Sequence, residues 1–78
     1  MLEIGKVFKK DGSTFCVLDF VNLDDKKYVL FSVESDKLEY CFYEIKKVEN
    51  NNYDLVLVND DDINNKLFSI VEEEMNNE

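Results

Sequence analysis

Two thiols, Cys16 and Cys41, and 18 carboxylates are the groups from which this 78-residue chain would have to build a reactive centre, because it has no His and no Arg. Without imidazole, no ordinary side chain titrates near neutrality. Without guanidinium, no planar fork is available to grip phosphate or carboxylate at two points. A nucleophile needs a neighbouring base, so either thiol would depend on a Lys or an unusual field for activation. A structural zinc site wants four Cys or His ligands at close spacing, which two distant Cys cannot supply. Asp60, Asp61 and Asp62 offer oxygen ligands, yet consecutive acids lack the alternation and central Gly of a calcium loop, and a solvated helix cap is the ordinary reading. Gly5 and Gly12 are too few to cradle a phosphate, and Gly5-Lys6 lacks the rest of a P-loop. Carboxylate pairs abound, but a domain of this size buries only about 60 to 65% of its unfolded surface and has little room for a cleft that would raise one carboxyl and spare its neighbour. The sequence thus predicts a non-enzymatic protein with no cofactor and no metal.

Charge restricts the partners. Nine Lys face 18 acids, for a net charge of −9. Binding to nucleic acid is driven by cations that displace counterions, so direct contact with DNA or RNA is not expected. Met1-Leu2-Glu3-Ile4-Gly5-Lys6 lacks the apolar core of a signal peptide, and the uncharged run 28–33 is far short of the roughly 20 residues that span a bilayer. The expected location is cytoplasmic, with no membrane partner. One Cys pair with no further staple does not resemble a secreted disulfide scaffold, and two reduced thiols serving as small hydrophobes are expected.

The elements that must position these groups follow from rhythm. Short runs rich in Val, Phe, Tyr and Ile alternate with clusters of Asp, Asn, Gly and Ser, the pattern of successive antiparallel strands. Strands are predicted over about 2–9, 14–21, 27–34, 37–48 and 53–58, in one domain covering 1–78. Lys10-Asp11-Gly12-Ser13 supplies a tight turn. In the second strand Cys16, Leu18 and Phe20 share a face, with Asp19 opposite. The third is apolar on both faces, with Val29, Phe31 and Val33 on one and Tyr28 and Leu30 on the other, and is therefore expected at the centre of the sheet. In the fourth, Leu38, Tyr40 and Phe42 alternate with Glu39, Cys41 and Tyr43, and Ile45 falls on the wrong parity, which a bulge near Tyr43 or Glu44 would repair. Asn50-Asn51-Asn52 marks a turn. Beyond it the period changes: Ile63, Leu67, Ile70 and Val71 repeat at three and four residues and predict a helix over about 60–75. Asn59 or Asp60 can cap it, while Glu72, Glu73, Glu74 and Glu78 oppose the dipole at its far end and predict fraying beyond about Met75.

The fold class expected is α+β: a five-stranded antiparallel meander, able to curl toward a small barrel, with one C-terminal helix on a face. A partly open five-stranded barrel is the main rival. The expected core is Leu18, Phe20, Val29, Phe31, Leu38, Tyr40, Phe42, Ile45, Leu55, Leu57, Ile63, Leu67, Ile70 and Val71.

Asp11-Gly12 before Val17-Leu18-Asp19, then Lys27-Tyr28-Val29-Leu30-Phe31, Glu44-Ile45, and Leu55 to Val58 leading into an acidic turn and helix, form an order that resembles the YrzB-like group of small acidic bacterial proteins of unknown function. The likeness spans residues 11–75. It implies a small cytoplasmic protein with no assigned activity and no functional residue to carry over.

Two readings of function remain. Doubly apolar strands with a single helix to cover them suggest a protein-interaction module that uses a sheet edge or the Tyr40 and Tyr43 region, with an unidentified protein or a second copy in a homodimer as partner. Aromatic packing within the fold is the ordinary role of such rings. The alternative rests on charge: residues 1–49 hold 8 Lys and 10 acids, net −2, whereas residues 50–78 hold 1 Lys and 8 acids, net −7. Asp60, Asp61, Asp62, Glu72, Glu73 and Glu74 would then act as a decoy polyanion occupying the basic, nucleic-acid-binding surface of another protein. Solubility is the ordinary role of that cluster.

Overall fold

The computed structural model describes residues 2–47, 49–50 and 52–76. Five strands, β1 (Val7–Lys10), β2 (Ser13–Leu23), β3 (Lys26–Glu34), β4 (Leu38–Lys47) and β5 (Tyr53–Leu57), form one antiparallel sheet in sequence order. The sheet curls into a half-barrel, and one helix, α1 (Asp61–Asn76), follows it. The α+β meander with a C-terminal helix is therefore the architecture. No helix among the described residues is long and apolar enough to cross a membrane.

The turns explain the register. Asp11 and Gly12 both adopt positive φ, which gives a two-residue connection of the twist that hairpins favour. Asp24 and Asp25 repeat that geometry between β2 and β3 without a Gly. Between β4 and β5, Asn50 takes φ 51° and the Asn52 amide donates to the Glu49 carbonyl; residues 48 and 51 of this connection lie outside the described residues. At the other end β1 starts at Val7, five residues later than the pattern suggests, because Gly5 turns the chain at φ 90°.

β3 lies at the centre, and its middle is closed on both sides: Tyr28 and Leu30 face the helix, whereas Val29 and Phe31 face away from it. Two clusters result. Toward α1, Val21, Tyr28, Leu30, Phe42 and Leu67 are buried with Val58, Ile63, Phe68, Ile70 and Val71 around them. On the helix-free side, Val17, Val29 and Phe31 are buried beneath Phe8, Phe15, Val33, Tyr43 and Ile45. Phe31 sits edge-on to Phe8, Phe15 and Tyr43, with centroids 5.7, 5.5 and 5.4 Å away.

Several expected core positions differ. The bulge lies in β2, between Val17 and Asp19, and not near Tyr43. It reverses the faces of the strand, so Val17 points to the helix-free side while Val21, four residues on, points to the helix. Leu18 and Phe20 are consequently exposed. β4 pairs without interruption through Ile45, which needs no bulge because both faces of the sheet are packed: Phe42 meets the helix and Ile45 the opposite cluster. Leu38, Tyr40, Leu55 and Leu57 are also exposed, the first two at the start of β4 and the last two on the outermost strand.

The Asp60 carboxylate accepts hydrogen bonds from the Asp62 and Ile63 amides at 2.9 and 3.2 Å, making Asp60 the helix cap. The helix continues through Asn76; the fraying expected past Met75 otherwise concerns residues 77 and 78, which lie outside the described residues.

Candidate functional site

Parity separates the two tyrosines singled out in the sequence. Tyr40 lies opposite Ser32 on the helix-bearing face and is 55% exposed, whereas Tyr43 lies opposite Val29 on the other face. The Tyr43 ring is half-buried against Phe31 and Phe15, so it is part of the aromatic cluster. They form no common contact surface. Burial raises the Tyr43 hydroxyl above its ordinary pKa, with the Cys41 thiol adding to the effect.

The acids are divided as well. Asp60 caps α1, Asp61 and Asp62 lie in its first turn, and Glu72, Glu73 and Glu74 lie toward its C-terminal end, all exposed. Ten helical steps from Asp62 to Glu72 set the two groups about 15 Å apart. Among the described residues no group of three or more His, Cys, Asp or Glu side chains is arranged to hold a metal ion. Cys16 faces the helix side, opposite Ser32, and Cys41 the helix-free side, opposite Phe31, so β3 stands between the thiols. Desolvation raises the Cys41 pKa, and the Glu39 carboxylate raises it further.

One acid has a specific neighbour. Glu74 shares a side-chain hydrogen bond with Asp19 on β2, and this bond, together with the charge of Asp19, lifts Glu74 above the usual carboxylate value of 4.5. Asp19 also accepts from the Phe20 amide at 2.8 Å. Because the folded pKa is the higher one, the contact contributes fully below the unfolded pKa and is lost as pH rises through the folded value. Glu74→Gln supplies a permanent donor to Asp19. It is expected to raise the urea midpoint at pH 7 relative to wild type and to lose that advantage near pH 4, roughly the unfolded pKa. A difference that does not vary with pH would contradict the raised Glu74 pKa.

The feature that the residue types do not advertise is the helix-free side of β4 and β5. Every residue of β5 is exposed, including Leu55, Val56 and Leu57 at 38, 43 and 44%. Register puts Tyr53, Leu55 and Leu57 on the same face as Tyr43 and Ile45. A groove of about 290 Å³ opens there between Leu2, Phe20, Asn22, Lys27, Ile45 and Tyr53. Next to it, a shallower depression of about 640 Å³ gathers Lys26, Lys27, Lys46 and Lys47 with Asp25 and Glu44 beside Tyr53. Of these lysines, Lys27 and Lys47 lie on the helix-free face with Ile45 and Tyr53, and Lys26 and Lys46 on the other. The signal was present in the order of the strands, since the last strand of a meander is an edge and its apolar run has no neighbour to bury it. The chain matches no family model, no curated protein and no solved structure.

Proposed function

We propose that the protein is a non-enzymatic interaction module that engages another protein through the helix-free side of β4 and β5. The observation that carries this reading is the run of exposed apolar side chains on that side, Phe20, Tyr53, Leu55 and Leu57, with Lys27 and Lys47 on the same face. Apolar side chains in water cost free energy that a partner recovers, and a basic rim selects an acidic or neutral surface over a basic one. The helix covers the opposite face and leaves this one open.

The test compares capture from the native host by wild type, by a Phe20→Ser, Tyr53→Ser variant, and by a variant in which Asp60, Asp61, Asp62, Glu72, Glu73 and Glu74 are changed to Asn or Gln. Phe20 and Tyr53 are exposed, so their replacement leaves the two buried clusters in place. A protein retained by wild type and by the neutralised variant, and lost by the Ser variant, is the expected result. Capture that ignores the Ser changes and disappears on neutralisation at low salt would instead favour the decoy reading. Retention of nothing by wild type would overturn both.

A further inference from the structure

The free edge of β5 has a property that its side chains alone do not convey. The Val58 amide donates to the Phe42 carbonyl at 3.0 Å, so Val58 and Phe42 are a hydrogen-bonded pair of the β4–β5 ladder. Antiparallel ladders alternate, which makes Val56–Glu44 and Asp54–Lys46 the next such pairs. Tyr53, Leu55 and Leu57 are then the residues whose N–H and C=O groups point outward, away from β4. Their side chains all lie on the helix-free face.

We infer that the occupant of this edge is a second copy of the chain, joined through β5 to β5 in an isologous antiparallel pair centred on Leu55. The inference goes beyond the reading above: the pair uses the free edge of β5 and leaves the helix-free face open to another protein. Three registers keep outward groups opposite one another near the centre of the strand. Centred on Asp54, the pair would set two carboxylates directly opposite, which is unfavourable. Centred on Val56, it would leave Tyr53 without a partner inside β5. Centred on Leu55, Leu55 meets its own counterpart, and Tyr53 meets Leu57 of the other copy on each side. All three outward residues of both strands are then paired, which gives six backbone hydrogen bonds.

The side chains agree with this register. On the helix-free face Leu55 packs on Leu55 and Tyr53 on Leu57, which extends the apolar face across both copies. On the other face Asp54 meets Val56 of the other copy and keeps Lys46 of its own chain on its far side. The opposite edge of the sheet does not have this character: β1 ends in Lys9 and Lys10, and cationic side chains keep edges from pairing with copies of themselves. An isologous pair also closes on itself, so it stops at two chains. Five residues per chain are far fewer than the roughly 20 to 30 a side of a standard interface, and the dimer is accordingly a weak, reversible one.

The test is mass against concentration by sedimentation equilibrium, combined with amide exchange. Wild type is expected to rise from 9.2 kDa toward twice that value as the chain concentration approaches the order of 1 mM, within the range of weak complexes. The amides of Tyr53, Leu55 and Leu57 should exchange more slowly as the dimer fills. Leu55→Pro removes an outward donor that β4 does not use, and should weaken dimerisation at least tenfold while the β4–β5 ladder keeps its protection. Leu55→Ala retains the donor and should weaken it less. The wild-type exchange data stand even if the Pro variant fails to fold. A mass fixed at 9.2 kDa, growth beyond two chains, or a dimer in which those three amides exchange independently of concentration would each overturn the pairing. If the chain stays monomeric yet loses a host partner on Phe20→Ser, Tyr53→Ser, the pairing alone falls; if it also captures nothing, the contact surface falls with it.

Discussion

Phe31→Ala is expected to lower the unfolding midpoint by about 15 to 30 °C, the shift that roughly 4 kcal/mol produces in a domain of this size. Truncating a fully buried Phe ordinarily costs about 3 to 5 kcal/mol, from lost transfer free energy and the cavity left behind. Phe31 belongs in the upper part of that range. It lies on the central strand with no exposed surface, and its ring is the common neighbour of Phe8, Phe15 and Tyr43. Such edge-on pairs contribute about 0.5 to 1.5 kcal/mol beyond the area they bury. A chain this short has a total stability of about 4 to 12 kcal/mol, so one substitution on the helix-free side removes between a third and all of it. Tyr40→Ala is the control, because Tyr40 lies on the adjacent strand and is mostly exposed; its cost is expected within about 0.5 kcal/mol. Equal shifts for the two variants in thermal or urea unfolding would show that the aromatic cluster does not support the sheet.

The importance of Phe31 was legible in the sequence, and the reason marks how far local pattern reaches. A strand that is apolar at successive positions has to be covered twice, and β3 with Tyr28, Val29, Leu30 and Phe31 obeys that rule at the centre of the sheet. Turn chemistry was legible for the same kind of reason: Asp11-Gly12 and Asp60 carry their conformations in their own side chains or lack of them. Burial elsewhere depends on neighbours that sequence does not show. Leu18, Phe20, Leu55 and Leu57 are as apolar as Val17 or Val29, yet a bulge with no glycine to announce it turns the β2 residues, and position on the outer strand leaves the β5 residues uncovered. Ile45 seemed out of register only on the assumption that one face of β4 is packed. Phe8 and Phe15 enter the core because β1 stacks them against each other, with centroids 5.3 Å apart, at an edge where polar neighbours conceal them. The candidate contact surface was legible only as an unspecified sheet edge, for the converse reason: short apolar runs read as core, and only strand order identifies the one that has no strand beyond it.

Leu67→Asp is expected to abolish the cooperative unfolding transition altogether. Leu67 is the fully buried residue of α1, enclosed by Val21, Tyr28, Leu30 and Phe42 of the sheet. A carboxylate there has no cation in the surrounding cluster, and a buried charge without a counter-ion costs more than the helix gains by docking. The remaining attachments are few. Ile63, Ile70 and Val71 pack only at its margin, Phe68 meets Phe42 at 4.8 Å, and the Asn64 amide group donates to the Val58 carbonyl at 3.1 Å. Once undocked, a 16-residue helix is marginal in water, more so with acids in its last turn, and the helical signal should disappear from the circular dichroism spectrum. The sheet then exposes Val21, Tyr28, Leu30 and Phe42 together, a loss too great for so small a domain to sustain. Leu67→Ala leaves a cavity without a charge and should cost about 3 kcal/mol with cooperativity preserved. Asn65→Asp adds the same charge on the exposed side of the same helix and should be nearly silent. If Leu67→Asp unfolded with the wild-type midpoint and retained its helical signal, the helix would not be held to the sheet by Leu67, and the division of this protein into one covered and one open face would fail with it.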